Sequence, residues 1–266
     1  MKNFSRSVEK ASKLNYNKRK QKLAFKITDE ARDKLKTYIG VFLAFVIIFT
    51  GGINSIGKIF AASSIKPTKT IIIDAGHGGF DSGAVATDGT LEKDLNLSIA
   101  KRLKSHLSGL GYNIILTRET DEALKTEETD SEASKRGDMK RRVEIMNAYP
   151  DAIFLSIHQN KFEQESVCGL QVFYSSKETS DILAKSIQAE WNERLTDRPR
   201  DAKADTRGVY ILRNASVPAV IIECGFISNS DELRKLKSEK YQNELCFVLE
   251  RGIINYYKEI EEKKNG

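Results

Sequence analysis

Two of the three histidines in this chain follow apolar runs of strand type. His77 stands in Ile71-Ile72-Ile73-Asp74-Ala75-Gly76-His77-Gly78-Gly79, and His158 ends Ile153-Phe154-Leu155-Ser156-Ile157. A carboxylate, Glu223, closes a third such run, Ala219-Val220-Ile221-Ile222. Neutral imidazole and carboxylate are zinc donors, and a catalytic zinc site takes three protein ligands. The histidines supply two nitrogens. Glu92, at the start of a helix, is a candidate third donor that both a cation and a helix N-terminus favour; Asp81 and Asp94 compete for that place. Glu223 then remains as a base outside the ligand set, able to take a proton from water and pass it to a leaving amine. A carboxylate after so apolar a strand is costly unless used or paired, for instance with Arg213. His106 lies mid-helix among Arg102, Lys104 and Ser105 and reads as a solvated surface residue. Cys224, next to Glu223 in a strand, points to the opposite face and reads as packing. No G-x-S-x-G elbow, phosphate loop or dinucleotide fingerprint is present.

The elements that must position these residues alternate between strand and helix. Strands are expected to end at Asp74, over 112–117, over 151–157, over 169–174, over 209–212 and over 218–223. Helices are expected from Thr90 or Leu91, with Thr90 as N-cap, to Gly109 or Gly111, then over 136–148, 179–195, 230–237 and 240–260. In the first helix Leu91, Leu95, Ile99, Leu103 and Leu107 recur at helical spacing. In the second, Lys140, Arg141 and Arg142 form a basic face, while Met139, Val143 and Met146 form an apolar one. Residues 119–135 are polar and acidic and read as an exposed loop, a lid or a tolerated excursion. Alternation of this kind predicts an α/β fold, a single domain with a twisted, mostly parallel sheet flanked by helices. The carboxyl edge of that sheet would collect His77, His158 and Glu223.

The net charge of +6 sits in the first 37 residues, where twelve Lys/Arg face four acids. From Tyr38 to Gly57 no residue is charged, and Val41 to Phe49 is wholly apolar. That length suits one transmembrane helix, and the preceding basic excess orients the tail to the cytoplasm. The expected organisation is a basic tail (1–37), an anchor or signal segment (38–57), a linker (58–69) and a catalytic domain (70–260). A cleaved signal, with Ala61-Ala62-Ser63 as cleavage site, is the competing reading and would give a secreted protein. The tail suits anionic lipid rather than nucleic acid, since aromatic interleaving and a recognisable module are missing. Cys168, Cys224 and Cys246 are odd in number and lack a CxxC spacing, so they define no disulfide framework.

Four stretches in order carry a resemblance: Asp74-Ala75-Gly76-His77-Gly78-Gly79, Leu91-Glu92-Lys93-Asp94 with Asn96, Ser156-Ile157-His158-Gln159-Asn160, and Ile222-Glu223-Cys224-Gly225-Phe226-Ile227-Ser228-Asn229. From about Thr70 to Lys258 the chain resembles the zinc-dependent N-acetylmuramoyl-L-alanine amidases of bacterial cell walls. The resemblance implies a twisted mixed sheet flanked by helices, Zn²⁺ as cofactor and peptidoglycan as substrate. It implies His77, Glu92 and His158 as metal ligands and Glu223 as the catalytic residue, and so makes Glu92 the expected third donor. Ala75, Gln159 and Cys224 depart from the usual residues, but none removes a ligand or the base. The glycines around His77 are expected to leave room for zinc and a glycan strand. The compact architecture, Lys135 to Asn147 and Gly208-Val209-Tyr210 most resemble the sporulation- and germination-specific type, which implies a part in making muramic δ-lactam of spore cortex. A catalytic domain outside the membrane follows, facing the wall or the forespore intermembrane space. The alternatives are a zinc-dependent peptidoglycan deacetylase and a membrane-anchored wall-binding protein of weak or partner-dependent activity, with any activator protein unidentified.

Overall fold

The computed structural model describes residues 69–124 and 135–266. The basic tail, the apolar run over 38–57, nearly all of the linker and most of the 119–135 loop lie outside the described residues. No helix among the described residues is long and apolar enough to cross a membrane.

Six strands form one mixed sheet: β1 (Thr70–Ala75), β2 (Asn113–Leu116), β3 (Ile153–Asn160), β4 (Gln171–Tyr174), β5 (Lys203–Ala204) and β6 (Ala219–Phe226). Their order is β2-β1-β3-β6-β4-β5. All neighbours run parallel except β4, which is antiparallel to β6. The helices are α1 (Glu92–Gly109), α2 (Lys135–Asn147), α3 (Ser180–Arg194), α4 (Tyr210–Arg213), α5 (Ser230–Leu236) and α6 (Glu239–Asn265). The α/β expectation therefore holds.

Strand alternation divides the sheet into two faces. Ile71, Ile73, Leu155, Ile157, Val220, Ile222 and Cys224 point to one face, where α1, α3, α5 and α6 bury them in the main core. Ile72, Phe154, Ala219 and Ile221 point to the other, in a smaller cluster with Met146 of α2 and Ile211 and Leu212 of α4. Cys224 is packing on the main-core side, and Cys168, Cys224 and Cys246 are unpaired thiols.

Three local readings need correction. Residues 209–212 are not a strand: Tyr210–Arg213 is a helical turn. An apolar run of four residues has no period long enough to tell strand from helix. Here Asp205 decides, its carboxylate accepting from the N–H of Arg207 and Val209 at 3.1 and 2.7 Å and so tightening the chain just before the turn. Thr90 is not the N-cap of the first helix; Leu91 holds that place without a side-chain bond. His106 is not simply solvated, since its Nδ1 lies 3.1 Å from Glu250 Oε2 on α6.

A candidate metal centre at the carboxyl edge of the sheet

β1 delivers His77 to the carboxyl edge through backbone that a side chain seldom adopts. His77 has φ 61°, and Gly78 and Gly79 follow at φ 138° and 56°. A non-glycine residue in the left-handed region costs about 1–3 kcal/mol and persists where its surroundings over-determine it. They do so here. Arg142 Nη2 donates to His77 O at 2.7 Å, and Arg118 Nη2 donates to Gly76 O at 3.1 Å. Both guanidiniums also donate to Ala75 O, each at 2.9 Å. The glycines do not leave open room, as the sequence suggested. A Cβ on Gly76 would lie 2.3 Å from His158 Nε2, and one on Gly78 would lie 2.3 Å from Glu122 O. The space over the loop is filled by the second histidine and by the returning chain.

The ligand geometry follows from three elements. His77 Nδ1 lies 2.8 Å from Asp81 Oδ2, an arrangement that assigns the ring proton to Nδ1 and leaves Nε2 as a donor atom. That Nε2 is 3.3 Å from Glu92 Oε1. On β3, His158 presents Nδ1 to the same oxygen at 3.0 Å. Glu92 opens α1 and is almost wholly buried; its Oε2 accepts from Ala84 N at 2.8 Å and its Oε1 from Gln159 N at 3.1 Å. One donor atom from each of His77, Glu92 and His158 lies within 4.8 Å of the others. Two imidazoles and a carboxylate form a donor set that suits zinc, and these residues could hold a metal. Of the competing acids, Asp81 orients His77 and Asp94 is exposed.

Burial acts against the charges of this cluster, but the mutual contacts outweigh it. Hydrogen bonds and charge from His158 and His77 hold the Glu92 carboxyl far below the usual range. Burial lowers His77, yet the bonds and charges of Glu92 and Asp81 raise it above the ordinary histidine value.

Glu223 stands beside the cluster. In the parallel β3–β6 register it is the partner of His158, so the two side chains share a face. Its Oε2 is buried and bonded to nothing among the described residues. Burial pushes its carboxyl up, with Glu92 adding to the rise and His158 and Arg207 pulling it back. The alternative to a role as base, a pairing with Arg213, is not made: Arg213 is exposed on α4.

Sequence reasoning missed the polar frame beneath the site. Asp74 is fully buried on the Glu223 face of the sheet. It accepts from Ser156 Oγ at 2.6 Å, from Thr117 Oγ1 at 2.7 Å and from Arg142 Nη1. Arg142 also donates to Asp138 one turn earlier, and Asp138 accepts from Leu124 N at 2.7 Å. The basic face assigned to α2 is therefore wrong for Arg142, which is buried and points at the sheet. A signal was present: a carboxylate inside Ile71–Ala75 requires a buried cation. Gln159, noted as a departure, also serves the frame. Its Nε2 donates to Asn96 Oδ1 at 3.2 Å, while Asn96 Nδ2 donates to Gly76 O at 3.0 Å.

Comparison with known proteins agrees with this geometry. Residues 71–255 match the N-acetylmuramoyl-L-alanine amidase family model. The germination-specific N-acetylmuramoyl-L-alanine amidase of Bacillus subtilis is 36% identical over 193 residues, 72% of this chain and 81% of that protein. The CwlD amidase of Clostridioides difficile, solved in complex with the GerS lipoprotein, superimposes with a TM-score of 0.67 at 39% identity. That match covers 72% of this chain and 99% of the other. A second N-acetylmuramoyl-L-alanine amidase, from Clostridium difficile 630, gives 0.64 at 29% identity, covering 73% and 98%. With a match over most of its length, and with the four motif stretches gathered at one sheet edge, this chain belongs to the N-acetylmuramoyl-L-alanine amidase family.

Proposed function

We propose that the chain is a zinc hydrolase that cleaves the amide between the lactyl group of N-acetylmuramic acid and L-alanine in peptidoglycan. The observation that carries this is the pairing of a three-donor cluster with a buried, unpartnered carboxylate one strand away. His77, Glu92 and His158 would hold the ion. When bound, zinc supplies Lewis acidity, polarising a carbonyl and making water nucleophilic near neutral pH. Asp81 keeps the His77 proton on Nδ1, and Ala84, Gln159 and Asn96 hold the Glu92 carboxylate in one orientation. Glu223 accepts a proton from the attacking water at its free Oε2 and returns it to the leaving L-alanine amine. A carboxyl raised by burial suits both halves of that exchange.

The similarity to the germination-specific amidase of Bacillus subtilis supports a role in spore cortex, through the muramic δ-lactam that follows stem-peptide removal. The apolar run over 38–57 would anchor the catalytic domain on the wall side of the membrane or in the forespore intermembrane space. A lipoprotein partner, as in the clostridial complex, fits the same setting.

Mass spectrometry of purified peptidoglycan digested with the full-length protein tests the reading. Release of intact stem peptides is expected, and acetate release or an unchanged wall would overturn it. The Glu223→Gln variant should keep its zinc and lose about 10²- to 10⁴-fold in release rate. Retained turnover would remove Glu223 from the mechanism.

A further inference from the structure

Arg207 carries a guanidinium that forms no hydrogen bond among the described residues. It is ion-paired with Asp205, whose Oδ1 stands 3.7 Å from its Nε, beyond hydrogen-bond length, while the Asp205 oxygens accept from backbone N–H groups. The side chain is 53% exposed, yet it is not loose. Its Cζ lies 4.3 Å from the centroid of the Phe173 ring. The segment that carries it is tied to β4 by Asp205 N, which donates to Tyr174 O at 3.0 Å.

The position of that ring is informative. In the antiparallel β4–β6 register, Gln171 is the partner of Glu223 and Phe173 the partner of Ile221. Cross-strand partners and alternate residues share a face, so Phe173, Gln171, Glu223 and His158 all lie on one side of the sheet. Arg207, stacked on Phe173, therefore stands on the Glu223 side of the sheet. A planar, oriented guanidinium with unoccupied donors matches a carboxylate in bidentate fashion.

Distance limits which carboxylate it can reach. From His158 on β3 to Phe173 on β4 is two strand spacings across, about 10 Å, and two residues along the strands, about 7 Å, or about 12 Å in all. Two extended peptide residues span about 7 Å, and the remainder, roughly 5 Å, is the stand-off of the guanidinium from the Phe173 ring together with the length of a hydrogen bond. We infer that Arg207 binds the free α-carboxylate of the second stem-peptide residue, the acidic residue after L-alanine, and so favours stems in which that group is not amidated. The inference rests on the amidase reading and adds to it a determinant of specificity.

Two muropeptides with tripeptide stems test it, identical except for D-glutamate in one and D-isoglutamine in the other at the second position. The zinc-loaded, full-length protein should prefer the carboxylate form by about 10- to 100-fold in kcat/KM, the worth of hydrogen bonds to a charged group. Arg207→Gln should erase the preference, with the larger loss of kcat/KM on the carboxylate form and carried mainly by KM. Arg207→Lys should restore part of it. Equal hydrolysis of both substrates by the unaltered protein, or an equal loss on both in Arg207→Gln, would overturn the proposal. If the unaltered protein releases no stem peptide from either, the amidase reading fails instead. Calorimetric binding of the two muropeptides then decides this point: unequal affinities abolished by Arg207→Gln support it, and equal affinities overturn it.

Discussion

One face of the sheet shows Ile71, Ile73, Leu155, Ile157, Val220 and Ile222 to α1, α3, α5 and α6, all of them wholly or nearly wholly buried in an apolar core. The other face, toward its carboxyl end, shows Asp74, Ser156, His158, Gln171 and Glu223, with Arg142 of α2 set against them. The strands are the same, and only the parity of position differs. On the apolar face a side chain needs a shape, since the energy of burial is spread over many weak contacts. On the polar face each group needs a particular partner, because an uncompensated buried charge is costly. The first face contributes stability through packing, and the polar face holds the His77 loop in a conformation it would not otherwise keep.

The comparison can be broken most severely at Arg142. Arg142→Met leaves Asp74 and Asp138 without their shared cation and frees the carbonyls of Ala75 and His77. A loss of about 3–5 kcal/mol is expected in urea denaturation. Zinc affinity should also fall about 10- to 100-fold, as for other groups that orient ligands from behind. Unchanged zinc affinity in the folded fraction would make Arg142 a purely structural cation.

Leu155→Ala tests the opposite face. Leu155 is fully buried there, so a cost of about 2–5 kcal/mol is expected from lost contacts and cavity formation. The folded variant should bind zinc as the unaltered protein does, by competition with a chromogenic chelator. A large affinity loss would show that the two faces are not separable.

The smallest effect is the response to acid. Burial raises the Asp74 carboxyl, but Arg142, Ser156 and Thr117 outweigh it and hold it below its ordinary value. Below about pH 4 the unfolded chain takes up a proton that folded Asp74 refuses. Its contribution is therefore complete above that pH and lost progressively as pH falls toward the depressed folded value. Denaturation of Asp74→Asn should show a shallower decline between pH 4 and pH 3 than the unaltered protein. Parallel curves would assign the acid sensitivity to other carboxylates, such as Glu92.

Much of the architecture was legible because it is written in local period. Leu95, Ile99, Leu103 and Leu107 mark the buried stripe of α1, and three β-branched residues before Asp74 mark β1. The two histidines were legible for a related reason, since each follows an apolar run where a polar residue stands out, whereas Glu92 among Lys93 and Asp94 was singled out only by the family resemblance. Arg142 escaped notice because a basic residue among Lys140 and Arg141 does not stand out, although it is the one turned inward. The turn at 210–213 was misread because it is too short to show a period. The glycines around His77 were given the wrong occupant, since what fills the space above a glycine comes from elsewhere in the chain.

The sequence by itself determined the alternation of strands and helices, the polar ends of the strands and the identity of the candidate donors, because these depend on residue type and on neighbours a few positions away. Only the tertiary structure decided that Glu92 rather than Asp94 meets both histidines and that Asp81 orients His77. It also put Glu223 opposite His158 and turned Arg142 and Arg118 onto the carbonyls of the His77 loop. Those relations join residues tens of positions apart, through strand register and helix docking. No local pattern carries register, since it is set by how both faces of the sheet are buried at once.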